Sequence, residues 1–208
     1  MTNRPLEPVQ QDTLRITEIF LSLQGESSTS GWPTVFVRTT GCPLRCTWCD
    51  TAYAFSGGSV MDLAAIREQI TAFGVPHVTI TGGEPLAQAA VVPLMRQLCD
   101  ADYHVSLETS GALDIALVDP RVMKVVDIKA PGSGEQQRNH LANLEHLSPG
   151  DQLKFVIADR ADYDWSCAFL RTHQPAVDVL FSASHEQLPA TQLADWIVAD
   201  RLNVRFQI

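Results

Sequence analysis

Short apolar stretches alternate with amphipathic ones along most of the chain. Runs of apolar and β-branched residues predict strands, and apolar residues that recur every three or four positions predict helices. The strands are predicted over residues 14–21, 34–38, 77–81, 104–108, 122–129, 152–158 and 177–182, with a further strand pattern at 205–208. The helices are predicted over residues 61–73, 86–100, 135–147, 163–173 and 191–201, with a short one near Leu113.

This alternation of strands and helices indicates a parallel sheet with helices packed on its outside. A full eight-unit barrel needs about 250 residues, whereas the chain has 208. We therefore predict an α/β fold built as a partial (β/α)6 TIM-like barrel. A chain of this length forms one domain, residues 1–208, and its polar, proline-containing residues 1–12 are predicted to be a flexible tail.

Composition and charge exclude several classes of protein. Apolar residues make up 45% and charged residues 19% of the chain, which is ordinary for a globular domain. The net charge of −9 gives no general attraction to phosphate, so a nucleic-acid partner is disfavoured. No apolar run is long enough to span a membrane. With five cysteines and no signal peptide pattern, the sequence indicates a cytoplasmic protein without nucleic-acid or membrane partners.

Three of the five cysteines lie in one short segment after the strand predicted at 34–38. Three residues separate Cys42 from Cys46, and two separate Cys46 from Cys49. Their thiolates can converge on a [4Fe–4S] cluster, which normally takes four thiolates. Cys99 and Cys167 lie in helical apolar patterns, so we expect the fourth iron to be open. An open iron can chelate S-adenosylmethionine, and reduction of its sulfonium releases a 5′-deoxyadenosyl radical.

Zinc sites and disulfides also use closely spaced cysteines. A structural zinc site normally has four ligands, and neither a second cysteine pair nor a nearby histidine completes one here. A disulfide is disfavoured by the odd number of cysteines. A zinc-binding interaction module and a simple electron-transfer iron-sulfur protein stay open as alternatives. The second of these predicts no adenosyl chemistry, and a barrel-sized chain with a glycine-rich loop argues against it.

Polar clusters follow the predicted strands in order. They are the cysteine segment and residues 81–85, 108–111, 127–129 and 182–185. Ligands of parallel α/β sheets bind at the carboxyl ends of the strands, so these clusters are predicted to share one rim. This agreement between topology and chemistry indicates an enzyme.

Several motifs together resemble a known family. The cysteine segment, with Trp48 before its last cysteine, resembles the signature of the radical S-adenosylmethionine superfamily, and Thr-Gly-Gly-Glu-Pro at 81–85 resembles its glycine-rich loop. Further motifs are similar to those of the 7-carboxy-7-deazaguanine synthase family: Leu23, Gln24, Gly25 and Glu26 ahead of Arg38, and Asp50 and Thr51 behind Cys49. The resemblance runs from about residue 16 to residue 200.

The resemblance implies a barrel of the radical S-adenosylmethionine type and a small-molecule pterin substrate. The implied reaction converts 6-carboxy-5,6,7,8-tetrahydropterin to 7-carboxy-7-deazaguanine with loss of ammonia, a step toward deazapurines such as queuosine. The implied cofactors are a [4Fe–4S] cluster on Cys42, Cys46 and Cys49, S-adenosylmethionine, and Mg²⁺ at Thr51. A homodimer and an external reductant such as flavodoxin are also implied.

The resemblance also distributes the remaining site residues between cofactor and substrate, with no catalytic side chain beyond the cofactor ligands. The cofactor-side residues are Trp48, Gly83, Ser110, Asp127, Ile128, Lys129, Phe181, Ser182, Ala183 and Ser184. The substrate-side residues are Leu23, Gln24, Gly25, Arg38 and Thr81.

Two departures from the family pattern affect the expected substrate pocket. Ser27 stands where the family motif has a glycine, so a side chain replaces a permissive residue. The family resemblance also places a tail over the substrate, whereas this sequence ends at Ile208; without such a tail, the pocket would be incomplete. A glycyl-radical activating enzyme is a further alternative, and it would need an extended groove for a polypeptide.

Overall fold

The computed structural model describes residues 12–208, so nearly all of the tail predicted at 1–12 lies outside the described residues. The strands are β1 (Thr13–Leu23), β2 (Pro33–Thr39), β3 (Ser59–Asp62), β4 (His77–Gly82), β5 (His104–Thr109), β6 (Met123–Asp127), β7 (Gln152–Ile157), β8 (Asp178–Ala183) and β9 (Arg205–Gln207). The α-helices are α1 (Leu63–Ala72), α2 (Val91–Asp100), α3 (Arg160–His173) and α4 (Ala190–Asp200).

The nine strands of the described part of the chain belong to one sheet, in the order β3-β1-β2-β4-β5-β6-β7-β8-β9. From β2 through β9, neighbouring strands run parallel. The six strands β2 and β4 to β8 are those expected for a partial (β/α)6 barrel, so the predicted α/β architecture is confirmed. At the other edge, β1 pairs antiparallel with β2 and β3 antiparallel with β1. The sequence did not predict β3.

Two of the predicted helices are wrong. Residues 135–147 form two short 3-10 segments, Gln136–Arg138 and Leu141–His146, instead of one α-helix. Between them, the side-chain amide of Asn139 accepts from Lys129 N at 2.8 Å and donates to Lys129 O at 3.0 Å. The backbone of Asn139 itself is not helical. No helix forms near Leu113. There the side-chain amide of Asn143 accepts from Ile115 N and donates to Leu113 O. Within residues 12–208, no helix combines the length and apolarity that crossing a membrane requires.

The two faces of the sheet differ in polarity. On β4, Val78 and Ile80 belong to the apolar core, while Thr79 and Thr81 point to the opposite, inner face. On β5 the inner residues are Ser106 and Glu108, and the hydroxyls of Thr79 and Ser106 lie 2.8 Å apart. The helices cover the outer face. The interior of the partial barrel is therefore polar and suits a hydrogen-bonding ligand.

The segment between β1 and β2, residues 24–32, closes the barrel from the amino end of the sheet. We call these residues the floor loop. Ser28 N donates to Gln152 Oε1 at 3.1 Å, and Gln207 Nε2 donates to Ser27 O at 3.3 Å. These bonds connect the floor loop to β7 and β9. The loop that the sequence assigned to the substrate thus enters the barrel from below, opposite the rim that carries the cysteines.

The variant Ser27→Gly is expected to be more stable than Ser27→Ala, the reverse of the usual order of stability for these two replacements. Ser27 is buried and has φ of 66°, in the left-handed region. Alanine keeps this strain, whereas glycine relieves it, and both lose the bonds between Ser27 Oγ and Thr29. We expect Ser27→Gly to be more stable than Ser27→Ala by about 0.5 to 1 kcal/mol in urea unfolding. Equal stability, or a more stable alanine variant, would contradict the left-handed backbone.

Candidate active site

The cysteine segment follows β2 and is anchored to the rest of the protein by contacts that do not involve its thiols. Leu44 is buried at the base of the loop. Thr47 bonds the segment after β6 twice: its N–H donates to Ser133 O at 3.1 Å and its hydroxyl to Gly132 O at 2.8 Å. The loop conformation therefore depends on these anchors, and the cysteines are left for a ligand.

All three cysteines of the loop are free and partly exposed. Burial raises the pKa of the Cys42 and Cys46 thiols, and the nearby Lys129 ammonium opposes that rise. Burial also acts to lower the pKa of Lys129, but Asp127 and Cys46 outweigh it and raise that pKa. Lys129 is therefore a permanent cation beside the thiols, placed to offset the charge of metal-bound thiolates.

The donor set fits an iron-sulfur cluster with an organic ligand better than a single metal ion. Within residues 12–208, no three His, Cys, Asp or Glu side chains are grouped closely enough to hold one ion, as a zinc site would require. A cubane cluster binds each thiolate to a different iron, so its ligands lie further apart. Two buried atoms at the same rim, Asp127 Oδ1 and Ser182 Oγ, have no hydrogen-bond partner among the described residues. Such atoms fit a polar cofactor.

Gly83 is required by contact with the cysteine loop. A Cβ at Gly83 would lie 2.3 Å from Gly41 O and 2.9 Å from Cys42 Cβ. The next residue, Glu84, donates its N–H to Gly41 O at 2.8 Å. The predicted role of Gly83 was close approach of the backbone to a cofactor. The structure adds a second reason for glycine at this position, because the backbone of residues 83 and 84 packs against Gly41, next to Cys42.

Glu84 is fully buried and binds the loop after β5. It accepts hydrogen bonds from Thr109 Oγ1, at 2.8 and 2.9 Å, and from Ser110 N and Oγ, at 2.7 and 2.5 Å. It also caps the 3-10 turn Pro85–Ala87 by accepting from Leu86 N at 2.9 Å. Glu84 therefore connects the ends of β4 and β5 and fixes the hydroxyl of Ser110, one of the predicted cofactor contacts.

The remaining cofactor-side residues differ in how they reach the rim. Lys129 Nζ donates to Asp127 Oδ2 at 2.7 Å, which leaves the other oxygen of Asp127 for a ligand. Ile128 and Phe181 point into the outer apolar core, so only their backbone can contact a cofactor. Ser182 and Ala183 end β8, and Ser184 follows it, with its hydroxyl 3.2 Å from Gln187 Oε1.

Trp48 lies against Gly132 in the segment after β6. A Cβ at Gly132 would lie 3.0 Å from Trp48 Cζ3 and 2.6 Å from Asp162 Oδ2. Asp162 also accepts from Gly132 N at 2.7 Å. Glycine at this position thus leaves room for the indole, which the resemblance places against adenine.

On the substrate side, Gln24 of the floor loop reaches the middle of the barrel. Its Nε2 donates to Glu108 Oε1 and to Thr79 Oγ1, both at 3.1 Å. Thr81 Oγ1 donates to the second oxygen of Glu108 at 2.9 Å. Burial, and then the charge of Glu26, raise the pKa of Glu108. Glu108, which belongs to the polar cluster at residues 108–111, therefore contacts the substrate-side residues Gln24 and Thr81.

The predicted substrate contacts on either side of Gln24 lie further out. The Leu23 side chain is 63% exposed at the end of β1, and Gly25 is exposed. Any contact of Leu23 or Gly25 with a ligand inside the barrel is therefore made through the backbone.

Arg38, at the end of β2, is held by two residues that the sequence did not identify. Arg38 Nε donates to Glu18 Oε1 at 2.7 Å, and the same oxygen accepts from the Tyr53 hydroxyl at 2.9 Å. The bond from Arg38 is the largest influence on Glu18, and the pKa of Glu18 is lowered. Because Glu18 binds only Nε, the two terminal nitrogens of Arg38 are left to bind a carboxylate.

Thr51, the predicted magnesium ligand, lies two residues beyond the last cysteine. Its hydroxyl donates to Asp50 Oδ1 at 2.6 Å. Both residues offer oxygen donors of the kind that Mg²⁺ prefers.

Comparison with known proteins agrees with this site. The family model for the Radical SAM superfamily matches residues 36–126, from β2 to β6. The chain is 43% identical to the 7-carboxy-7-deazaguanine synthase of Koribacter versatilis over 92% of each chain. It is 42% identical to the 7-carboxy-7-deazaguanine synthase of Chlorobaculum tepidum, over 94% of this chain and 91% of that one.

Solved structures show the same fold. QueE from Escherichia coli superposes with a TM-score of 0.72 at 23% identity, covering 94% of both chains. Streptococcus suis SuiB gives a TM-score of 0.59 at 16% identity and matches over 47% of its own length. The barrel, the cysteine loop and the sequence similarity over most of the chain agree: this chain belongs to the 7-carboxy-7-deazaguanine synthase family of the radical SAM superfamily and uses a [4Fe–4S] cluster and S-adenosylmethionine.

Proposed function

We propose that this enzyme converts 6-carboxy-5,6,7,8-tetrahydropterin to 7-carboxy-7-deazaguanine with loss of ammonia, a step in the biosynthesis of queuosine and related 7-deazapurines. The observation that carries the proposal is the pairing of two sites in one barrel: a three-cysteine loop at the carboxyl rim, and below it a polar interior containing Arg38, Gln24 and Glu108. The first suits the radical chemistry, and the second suits a small, polar, anionic substrate.

On the cofactor side, each residue has a distinct task. Cys42, Cys46 and Cys49 hold the cluster, and Lys129 offsets the charge of their thiolates. When bound, the cluster and S-adenosylmethionine supply a 5′-deoxyadenosyl radical that takes a hydrogen atom from C6 of the substrate. The remaining cofactor contacts are assigned to Trp48, Gly83, Ser110, Asp127, Ile128, Lys129, Phe181, Ser182, Ala183 and Ser184.

On the substrate side, Arg38 binds the C6 carboxylate through its two terminal nitrogens. Gln24, Thr81 and Glu108 face the ring, where an amide and a carboxylate provide acceptors for its N–H groups. Leu23, at the end of β1, and Gly25, in the floor loop, contribute backbone contacts. We assign Mg²⁺ to Thr51, whose hydroxyl oxygen would help to hold the ion, since Mg²⁺ commonly binds through one or two protein oxygens plus substrate.

Other features of the proposal concern the whole molecule. Residues 1–208 act as one domain. The cluster takes its electron from an external reductant such as flavodoxin, and the enzyme acts in the reducing cytoplasm, where free thiols persist. We expect a homodimer, as the resemblance implies. The comparisons do not favour a glycyl-radical activating enzyme or a non-catalytic electron-transfer protein.

An anaerobic assay tests the function directly. Reconstituted protein is incubated with S-adenosylmethionine, reductant, Mg²⁺ and 6-carboxytetrahydropterin, and the deazaguanine product is followed by mass spectrometry. Product that requires S-adenosylmethionine is the expected result. Reductive cleavage of S-adenosylmethionine without formation of the deazaguanine product would contradict the proposed choice of substrate. Absence of cleavage in a protein with a full complement of iron would contradict the radical chemistry.

Arg38→Ala is expected to weaken substrate binding and leave the chemical step largely intact. Losing a charge-assisted, bidentate contact should raise KM by about 10- to 100-fold. Glu18→Gln keeps an oxygen acceptor for Arg38 Nε and should raise KM much less than Glu18→Ala. The measurement is steady-state kinetics on iron-loaded variants, with iron content as the control. An unchanged KM in Arg38→Ala would count against the carboxylate contact.

A further inference from the structure

Lys154 is a cation inside the barrel to which the proposed reaction assigns no task. It lies in β7, and its side chain is 15% exposed. Its neighbours Leu153 and Phe155 belong to the outer apolar core, so Lys154 points to the interior. Asp127 is its register partner on β6, which brings the two side chains together on the inner face. Lys154 therefore lies where the substrate and cofactor sides meet.

The ammonium of Lys154 has more donors than protein partners. Nζ donates to Glu26 Oε2 of the floor loop, its one hydrogen-bond partner in the described part of the chain. An ammonium carries three N–H donors, so two are left for a ligand in the barrel. Burial acts to lower the pKa of Lys154, but Glu26, Asp127 and Glu108 outweigh it, and the pKa is raised. Lys154 thus remains a hydrogen-bond donor at neutral pH.

The proposed substrate needs such a donor on this side of the barrel. This step rests on the proposed function. The C6 carboxylate and the pyrimidinone edge lie at opposite ends of a pterin. Arg38 on β2 and Lys154 on β7 are separated by β4, β5 and β6. When Arg38 holds the carboxylate, the pyrimidinone edge points toward Glu108 and Lys154. Glu108 can accept from N3–H and the 2-amino group, and the neighbouring 4-oxo oxygen needs a donor.

We propose that Lys154 determines specificity by donating a hydrogen bond to the 4-oxo oxygen of the substrate, which selects 2-amino-4-oxopteridines over 2,4-diaminopteridines. A 4-amino group presents N–H donors to the ammonium, so the Lys154 donors that face the ring are left without an acceptor, while the bond to Glu26 stays. A site built to bond a polar group rejects an analogue that leaves its own buried group unpaired. The expected preference for the 4-oxo ring is at least about 100-fold.

The test compares two stable ligands on the reconstituted enzyme with S-adenosylmethionine bound. 6-Carboxypterin and 2,4-diaminopteridine-6-carboxylate differ at position 4 and share the carboxylate that Arg38 binds. Affinities are measured by calorimetry under anaerobic conditions. The wild-type enzyme should prefer 6-carboxypterin. Lys154→Met should reduce this preference by at least about tenfold and keep the part that Glu108 provides, because only the 4-oxo ring carries N3–H. Glu26→Gln removes the charged partner of Lys154 but keeps the ammonium, so it should retain the preference.

Each other outcome has a defined meaning. An undiminished preference in Lys154→Met overturns the inference. An equal loss of affinity for both ligands also overturns it and would limit Lys154 to holding the floor loop. If the wild-type enzyme binds neither ligand, the proposed function fails together with the inference. Folding is checked by circular dichroism, and if Lys154→Met does not fold, Lys154→Gln replaces it, with a reduced preference expected because the amide donates without a charge.

Discussion

Cys46→Ala is expected to abolish turnover while the protein stays folded. Each of the three thiolates binds a different iron, so losing one leaves an iron without a protein ligand. Loss of a residue that merely supports a metal ligand costs about 10- to 100-fold, and loss of the ligand itself should exceed that range. The fold should survive because Leu44 and Thr47, not the cysteines, hold the loop in place.

The measurements are iron and sulfide content after anaerobic reconstitution, visible absorbance, turnover, and thermal unfolding of the metal-free protein. Cys99→Ala is the matched control, because Cys99 is a free, buried cysteine in α2, outside the loop. It should keep both cluster and turnover. Wild-type activity in Cys46→Ala would overturn the assignment of the cluster, and so would equal loss of cluster in the two variants.

The sequence predicted the parallel strands and the cysteine loop because both depend on local patterns. Strands β4 to β8 are short apolar runs whose outer residues alternate with inner ones, and their ends lie close to the predicted positions. The spacing of Cys42, Cys46 and Cys49 is likewise a property of one segment. Such features need no information about distant parts of the chain.

The two wrong helix predictions involve side chains that form hydrogen bonds with the backbone of residues ten or more positions away in the sequence. The pattern over residues 135–147 predicted a helix, but Asn139 bonds the backbone of Lys129, ten residues earlier. In the same way, Asn143 bonds the loop at residues 113–115. These amide bonds replace helical hydrogen bonds, and nothing in the local pattern identifies their partners.

The charged residues inside the barrel show a different limit. An isolated Lys154 or Glu108 in an apolar strand would usually be assigned to solvent, since lysine and glutamate are seldom buried without a partner. Here the partners come from the floor loop, through Glu26 and Gln24. Strand alternation alone placed these residues on the face opposite the apolar core. Only the three-dimensional structure shows that this face lines the interior of the barrel.

Asp151→Ala is expected to be the most destabilising single change outside the active site. Lys124 and Asp151 form an ion pair of 2.8 Å whose side chains are 2% and 3% exposed. Asp151 also accepts from Lys124 N and Ser148 N, both at 2.7 Å. Without the carboxylate, the Lys124 ammonium has only Val122 O, at 3.3 Å, among the described residues. A buried charge left unpaired costs about 3 to 5 kcal/mol.

Two comparisons separate the cost of the lone charge from the value of the pair. Asp164→Ala breaks the exposed Arg160 to Asp164 pair, whose side chains are 53% and 59% exposed, and should cost at most about 0.5 kcal/mol. The double variant Lys124→Met, Asp151→Leu removes both charges and should be more stable than Asp151→Ala, because desolvation of the ions offsets most of their attraction. Free energies of unfolding in urea give all three values. If the double variant were less stable than Asp151→Ala, the two backbone bonds to Asp151, and not the unpaired ammonium, would account for the loss.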